Sequence, residues 1–140
     1  EGVNEKSNAR ILIEAKQWLD RYFAGENPDI ADLSLAPRGS DFRKAVWKIL
    51  CEIPCGEVVT YGDIARRIAA DTGRSNMSGQ AVGGAVGHNP ISVIIPCHRV
   101  VGSTGSLTGY AGGIDAKIWL LEHEGVDVSP FFVPVKGTAL

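Results

Sequence analysis

Thr60-Tyr61-Gly62-Asp63-Ile64-Ala65-Arg66-Arg67-Ile68-Ala69-Ala70 and Ser78-Gly79-Gln80-Ala81-Val82-Gly83-Gly84-Ala85-Val86-Gly87, separated by a polar turn over residues 71–76, decide how this chain folds. In the first stretch Ile64, Ala65 and Ile68 recur at helical spacing, which predicts a helix from Tyr61 to about Ala70. In the second, Ser78 is a helix-capping residue, and Gly79–Gly87 reads as a short helix of small side chains. Two helices joined by a turn, the second thin and glycine-rich, form a helix-turn-helix whose second member can approach a nucleic-acid backbone. Each interior glycine costs about 1 kcal/mol against alanine in such a helix. Close approach to something must compensate, and the pattern alone leaves open whether that is the protein's own core or a bound surface.

Working outward, Ser40 or Asp41 caps an earlier helix whose buried face is Phe42, Val46, Ile49 and Leu50, and Ile53-Pro54-Cys55-Gly56 ends it. Glu57–Thr60 is a short extended bridge into Tyr61. Further upstream, Ile11, Leu12, Ala15, Trp18, Leu19, Tyr22 and Phe23 predict a helix from about Ala9 to Ala24, stopped by Gly25 and Pro28. Residues 27–39 read as a linker with a short extended piece near Leu33–Leu35. Downstream, Ser92–Ile95 reads as a buried strand or extended segment leading to Pro96-Cys97-His98-Arg99. A glycine-rich stretch follows, then a last helix, Ile114–Glu124, closed by Gly125. The division expected is a helix and linker at 1–39, a main domain at 40–125 and a loosely packed tail at 126–140. The fold class expected is mainly α (α+β), with a winged-helix-like helix-turn-helix and a short extended segment before the cysteine.

A chain of 140 residues is long enough for a core that needs no disulfide or metal staple. Fourteen basic against sixteen acidic residues gives net charge −2, which excludes a protein that coats nucleic acid by bulk charge. The charges are uneven, however: residues 41–117 carry 8 basic and 6 acidic groups between two acidic flanks. Three cysteines, Cys51, Cys55 and Cys97, are an odd set with no signal-like segment, so a reducing, cytoplasmic setting is expected, or a nuclear one in a eukaryote. The longest apolar run, near Ile91–Ile95, is too short to cross a bilayer.

A thiol is a nucleophile only as the thiolate, so something must take its proton. Cys97 is followed at once by His98, a base, and Arg99, a fixed positive charge. Glu124, on the last helix, is placed to orient the imidazole as the third member of a triad does. An isolated Cys-His pair is more often a packed thiol beside a satisfied loop histidine. Cys51 and Cys55 lie near the end of an apolar helix, with no partner set for zinc, and no metal is expected.

The string Asn89-Pro90-Ile91-Ser92-Val93-Ile94-Ile95-Pro96-Cys97-His98-Arg99-Val100-Val101 resembles the acceptor-site sequence of the O6-alkylguanine-DNA alkyltransferases, or methylated-DNA-protein-cysteine methyltransferases. The resemblance runs in order through Phe42 and Trp47, Ile53–Val58, Thr60–Ala65, Ala81–Ala85, Gly109-Tyr110, Gly112-Gly113 and Leu120–Gly125. It implies single-turnover repair of double-stranded DNA in which Cys97 takes the alkyl group from O6-alkylguanine. It implies activation of Cys97 through a water by His98, with Glu124 behind, and a proton from Tyr61 toward guanine N3. The carbonyls of Cys97 and Val100 would accept from the exocyclic amine, the N–H groups of Tyr110 and Ala111 would lie near O6, and Asn89 would be the hinge that braces the helix-turn-helix against the active-site strand. Gln80, Ala81, Gly84, Tyr61, Arg74 and Arg99 are the expected DNA contacts. No cofactor, no membrane and a monomer complete the expectation.

Two departures accompany the resemblance. Gln80 stands where an arginine commonly fills the gap left by the flipped base, and the turn between the two helices is longer than usual, with Arg74 as a substitute cation. The front of the chain resembles only the last helix and linker of the domain that precedes this one in full-length members. Rival readings are an alkyltransferase-like damage binder without repair chemistry, in which the acceptor cysteine is replaced, a transcription regulator that reads sequence through residues 79–87, and a cysteine hydrolase.

Overall fold

The structure is a computed structural model that describes residues 5–33, 37–73, 77–107, 110 and 112–133. The chain divides into two compact units, residues 1–36 and 37–140. In the first, helix α1 (Glu5–Phe23) begins one turn ahead of the expected Ala9. Trp18 and Tyr22 are buried and stacked, 5.8 Å between ring centroids, and the Trp18 indole N–H donates to the Asp29 carbonyl at 3.0 Å. The extended piece expected near Leu33–Leu35 falls mostly outside the described residues. Just before it, Ile30–Asp32 forms one 3-10 turn capped by the Asp29 carboxylate.

The second unit is built around three helices, α2 (Asp41–Cys51), α3 (Tyr61–Thr72) and α4 (Gly79–Gly87). Ser40 caps α2 by accepting from the Arg43 N–H at 3.2 Å. Val46, Trp47, Ile49 and Leu50 form its buried face. The Trp47 indole N–H donates to the Ala85 carbonyl at 2.9 Å, a buried bond that pins α2 to α4. Thr60 and Asp63 form a reciprocal capping box at the start of α3, each bond 3.0 Å long. Gly73, at φ 74°, ends α3 in the left-handed conformation that glycine adopts without penalty. Ser78 caps α4 by accepting from the N–H groups of Gln80 and Ala81.

Beyond α4 the observed chain differs from the expectation. Ser92–Ile95 is not a strand but a tight turn, with Ser92 bridged to Ile95 and the Ile95 N–H donating to the Ile91 carbonyl at 2.9 Å. Periodicity cannot distinguish a buried strand from a buried turn in so short an apolar run. The deciding residue is Asn89, whose amide donates to the Ile95 carbonyl at 2.7 Å while its oxygen accepts from the Ile91 N–H at 2.9 Å. Val93 takes φ 73°, a strained state for a β-branched residue. The strand lies past the cysteine instead. A 3-10 turn, Cys97–Arg99, leads into β2 (Val100–Val101), which pairs in parallel with β1 (Val59–Thr60) in the register Val59↔Val100 and Thr60↔Val101.

Helix α5 (Ile114–His123) closes the unit. Val101, Leu107 and Leu121 form a core cluster against which Val58, Ile118, Val126, Val128 and Phe131 pack. The chain after residue 125 is therefore docked as far as it is described, not loosely packed. Its apolar side chains fill this cluster, and the Leu107 N–H donates to the Phe132 carbonyl at 2.8 Å. No helix among the described residues is long and apolar enough to cross a membrane.

Thr60 belongs both to β1 and to the α3 cap. Thr60→Ala should cost about 1–2 kcal/mol, in the range for losing a helix cap, with Thr60→Ser close to the original chain. Urea denaturation midpoints at unchanged m-value check this.

Candidate active site

Cys97 opens the 3-10 turn at the foot of β2 and is 5% exposed. His98, next in the chain, is fully buried. Its Nε2 lies 2.6 Å from a carboxylate oxygen of Glu124, the residue that caps the C-terminal end of α5. A carboxylate can only accept, so Nε2 carries the proton and donates, which leaves the Nδ1 lone pair as the basic site. Nδ1 is buried and has no hydrogen-bond partner among the described residues. Burial lowers the His98 pKa from its ordinary value, against the opposing pull of Glu124. The ring is thereby held neutral at physiological pH, able to receive a proton.

Arg99 corrects two expectations. It is buried, donating through Nε and Nη2 to the two Glu124 oxygens at 2.7 and 2.9 Å and through Nη1 to the Ile53 carbonyl at 2.6 Å. It therefore faces the interior rather than a DNA backbone. Nor is it the cation beside the nucleophile, since its charge acts on Cys51, Cys55 and His98. A helix C-terminus is the unfavourable end for a carboxylate, and the bidentate Arg99 fork offsets that charge where it arises.

The cation that does act on Cys97 is Lys117 of α5, which the sequence reading missed. It is fully buried, and its ammonium donates to the Val100 carbonyl at 2.5 Å. Burial lowers its pKa to about 8, and the charge of Cys97 works in the opposite direction. Its place on the buried face of α5 with Leu120 and Leu121 was the available signal: a lysine at an apolar-face position. Burial raises the Cys97 thiol, opposed by hydrogen bonds from Asn89 and Ser92 and by the Lys117 charge. Ser92 was likewise unforeseen.

Tyr61, at the first position of α3, and Tyr110 both couple to Cys97. Burial first, and then the Cys97 charge, pushes each phenol up to about 12. Both are therefore protonated donors at neutral pH. The Tyr110 ring meets His98 edge-on at 6.4 Å. Asn89, Tyr61, Val100 and Tyr110 are thus gathered about Cys97 and His98, whereas Arg74 and Ala111 lie outside the described residues. Cys51 and Cys55 are half-buried free thiols, and among the described residues no group of three or more side chains could hold a metal ion.

Helix α4 turns Val82, Ala85 and Val86 inward and exposes Gln80, Ala81, Gly84 and Gly87 along one strip. A Cβ added at Gly84 or Gly87 would meet nothing within 4 Å. Packing inside the protein therefore does not require these two glycines, and the core-packing reading fails for them. A bare strip without acidic side chains, maintained against a helix penalty of about 1 kcal/mol per glycine, suits close contact with an external anionic surface.

Residues 41–126 match the family model described as the DNA-binding domain of 6-O-methylguanine DNA methyltransferase. A methylated-DNA--protein-cysteine methyltransferase of Methanosarcina mazei is 50% identical over 117 residues, covering 84% of this chain and 70% of that protein. Among solved structures, the O6-methylguanine methyltransferase of Mycobacterium tuberculosis aligns with TM-score 0.67 and 50% identity. That alignment covers 79% of this chain and 63% of the other, so the chain spans just under two thirds of that protein. The M. tuberculosis OGT in complex with DNA aligns with TM-score 0.71 and 49% identity, covering 84% of this chain and 67% of the other. With Cys97, the buried His98 and the bare helix all inside the matched region, the chain belongs to the 6-O-methylguanine DNA methyltransferase family.

Proposed function

We propose that this protein repairs duplex DNA by moving an alkyl group, methyl in the simplest case, from the O6 atom of guanine to the sulfur of Cys97, once per chain and as a monomer. The observation that carries the reading is the buried imidazole of His98, held through Nε2 by Glu124 and next in the chain to the buried thiol of Cys97. His98 takes the thiol proton through a water, and the thiolate attacks the alkyl carbon. The S–C bond forms as the C–O6 bond breaks, and the bonding electron pair leaves with the purine. Tyr61 gives its proton to guanine N3, and the proton held by His98 restores the balance. The thioether has no easy leaving path, so the transfer ends the life of the site.

A paired guanine is out of reach of a buried sulfur, so the nucleotide is rotated out of the stack at a cost of a few kcal/mol. The strip Gln80, Ala81, Gly84 and Gly87 enters the minor groove, where bulky side chains would not fit. Gln80 occupies the space left by the flipped base and hydrogen-bonds to the orphaned cytosine. Because lesions must be found in any sequence, contacts fall mainly on phosphates, and the low net charge of the chain is compatible with that. Lesion binding without chemistry is disfavoured by the acceptor cysteine, which is in place and has a base beside it.

Incubation with a duplex containing O6-methylguanine should raise the intact mass by one methyl group per chain at most, and Cys97→Ala should abolish the gain. Sustained turnover or tight lesion binding without mass change would defeat the reading. His98→Gln should slow transfer by about 10²- to 10⁴-fold, the usual weight of a general base, as read from single-turnover rates. Gly84→Ala should separate fold from function. It should stabilise α4 by about 0.5–1 kcal/mol while weakening DNA binding in a fluorescence-anisotropy titration; unchanged affinity would remove α4 from the interface.

A further inference from the structure

Helix α4 has nine residues, none of them charged, so at 1.5 Å per residue it is about 13 Å long, against about 6 Å for the width of a minor groove. With its bare strip laid into a groove, both ends of the helix meet the phosphate strands on either side. The amino end suits an anion, whereas the carboxyl end carries the opposite partial charge and repels one. Within Val86-Gly87-His88-Asn89-Pro90, where α4 ends, His88 alone can become a cation, and it is exposed. The Gly84 carbonyl accepts from its backbone N–H at 3.2 Å and from its ring Nδ1 at 2.7 Å. Because Gly84 belongs to the bare strip, this bond holds the imidazole at the strip's carboxyl end. A carbonyl can only accept, so Nδ1 carries a proton and the neutral ring keeps Nε2 as a lone pair. The elements packed against α4 do not supply that nitrogen with an ionic partner. On α3, Asp63 pairs with Arg66, and Arg67 with Glu52 and Asp71. Among the described residues, Asp41, Arg43, Lys44, Lys48 and Cys51 of α2, and Tyr61 of α3, make no hydrogen bond or ion pair with the ring.

We propose that His88 is a DNA-binding residue that works only when protonated: its imidazolium donates from Nε2 to a phosphate at the carboxyl end of α4, so that duplex binding takes up a proton. The inference deepens the proposed duplex interface and rests on that reading. A neutral ring would set its Nε2 lone pair against a phosphate oxygen, two acceptors with no hydrogen between them. Protonation supplies the missing N–H and a positive charge together, the proton coming from solvent. The same charge offsets the repulsion between the phosphate and the end of the helix. Since the bound state holds more protons than the free state, affinity falls as pH rises through the range in which histidines titrate, about pH 5.5–7.5.

Fluorescence anisotropy with an unmodified duplex tests this, because it separates binding from the chemistry at Cys97 and His98. At constant ionic strength the original chain should bind about three- to tenfold more weakly near pH 8 than near pH 6, the weight of one phosphate contact. His88→Gln cannot take the proton and should bind weakly with no dependence on pH. His88→Arg keeps its charge throughout and should bind tightly, again without pH dependence. Near pH 6 the slope of log affinity against log salt should be smaller by about one in His88→Gln than in the original chain. The ring C–H resonance of His88, identified by its loss in His88→Gln, should have its titration midpoint moved to higher pH by the duplex. Urea denaturation establishes that both variants are folded at the assay temperature. An affinity of the original chain that does not change with pH, or a pH dependence that survives in His88→Gln, overturns the inference and leaves DNA binding in place. Duplex binding absent from all three chains at every pH overturns the interface reading, and the inference with it.

Discussion

The Glu124 carboxylate has no exposure to solvent, and it ties the end of its own helix to two other parts of the chain, one directly and one through Arg99. Arg99 grips both oxygens, His98 takes one of them, and the same guanidinium reaches the Ile53 carbonyl in the segment that follows α2. Removing either partner of a buried pair costs about 3–5 kcal/mol, yet replacing the whole set by apolar side chains is often neutral or stabilising. Such a cluster is therefore weak as a stability device and strong as an orienting one. Its product is a single imidazole tautomer, with the lone pair of Nδ1 left on the side away from the carboxylate. The end of α5, the turn that carries Cys97 and the exit of α2 are placed relative to one another by this one carboxylate.

Around that anchor the site divides its labour between elements that the chain separates widely. The helix-turn-helix supplies a bare outer strip and, at its first residue, the Tyr61 phenol. The turn and β2 supply the sulfur and its base. Helix α5 supplies a carboxylate at one end and a buried ammonium near its middle. Two buried cations thus face different partners: Arg99 is forked onto the Glu124 carboxylate, and Lys117 donates to the Val100 carbonyl.

Much of this was legible in the residues. Ser40, Ser78 and Gly125 could be read as helix bounds because caps act locally, and local chemistry can be read from neighbouring letters. The pairing of His98 with Glu124 followed from the order of family-like segments. What escaped was set by tertiary contact. The apolar run Ser92–Ile95 looks like a strand until Asn89 is seen to satisfy the backbone at both of its ends. Arg99 and Lys117 are indistinguishable as charges in a string; only packing shows that the arginine adjacent to the thiol turns away while a lysine twenty residues on turns in. Gly84 and Gly87 of α4 posed the same ambiguity, resolved once a Cβ added at either proved to face open space.

The sheet contains only two rungs, Val59↔Val100 and Thr60↔Val101, and it closes residues 61–99 into one long loop with both helices of the helix-turn-helix inside it. Closure of a flexible loop becomes costlier only with the logarithm of its length, about 0.6 kcal/mol for each doubling. Insertions at the far end of this pendant are consequently cheap, and they leave the register at its neck untouched. The connection between α3 and α4 can lengthen or shorten among relatives, changing how the outer helix is carried, while phenol and sulfur keep their spacing because both hang from the clasp.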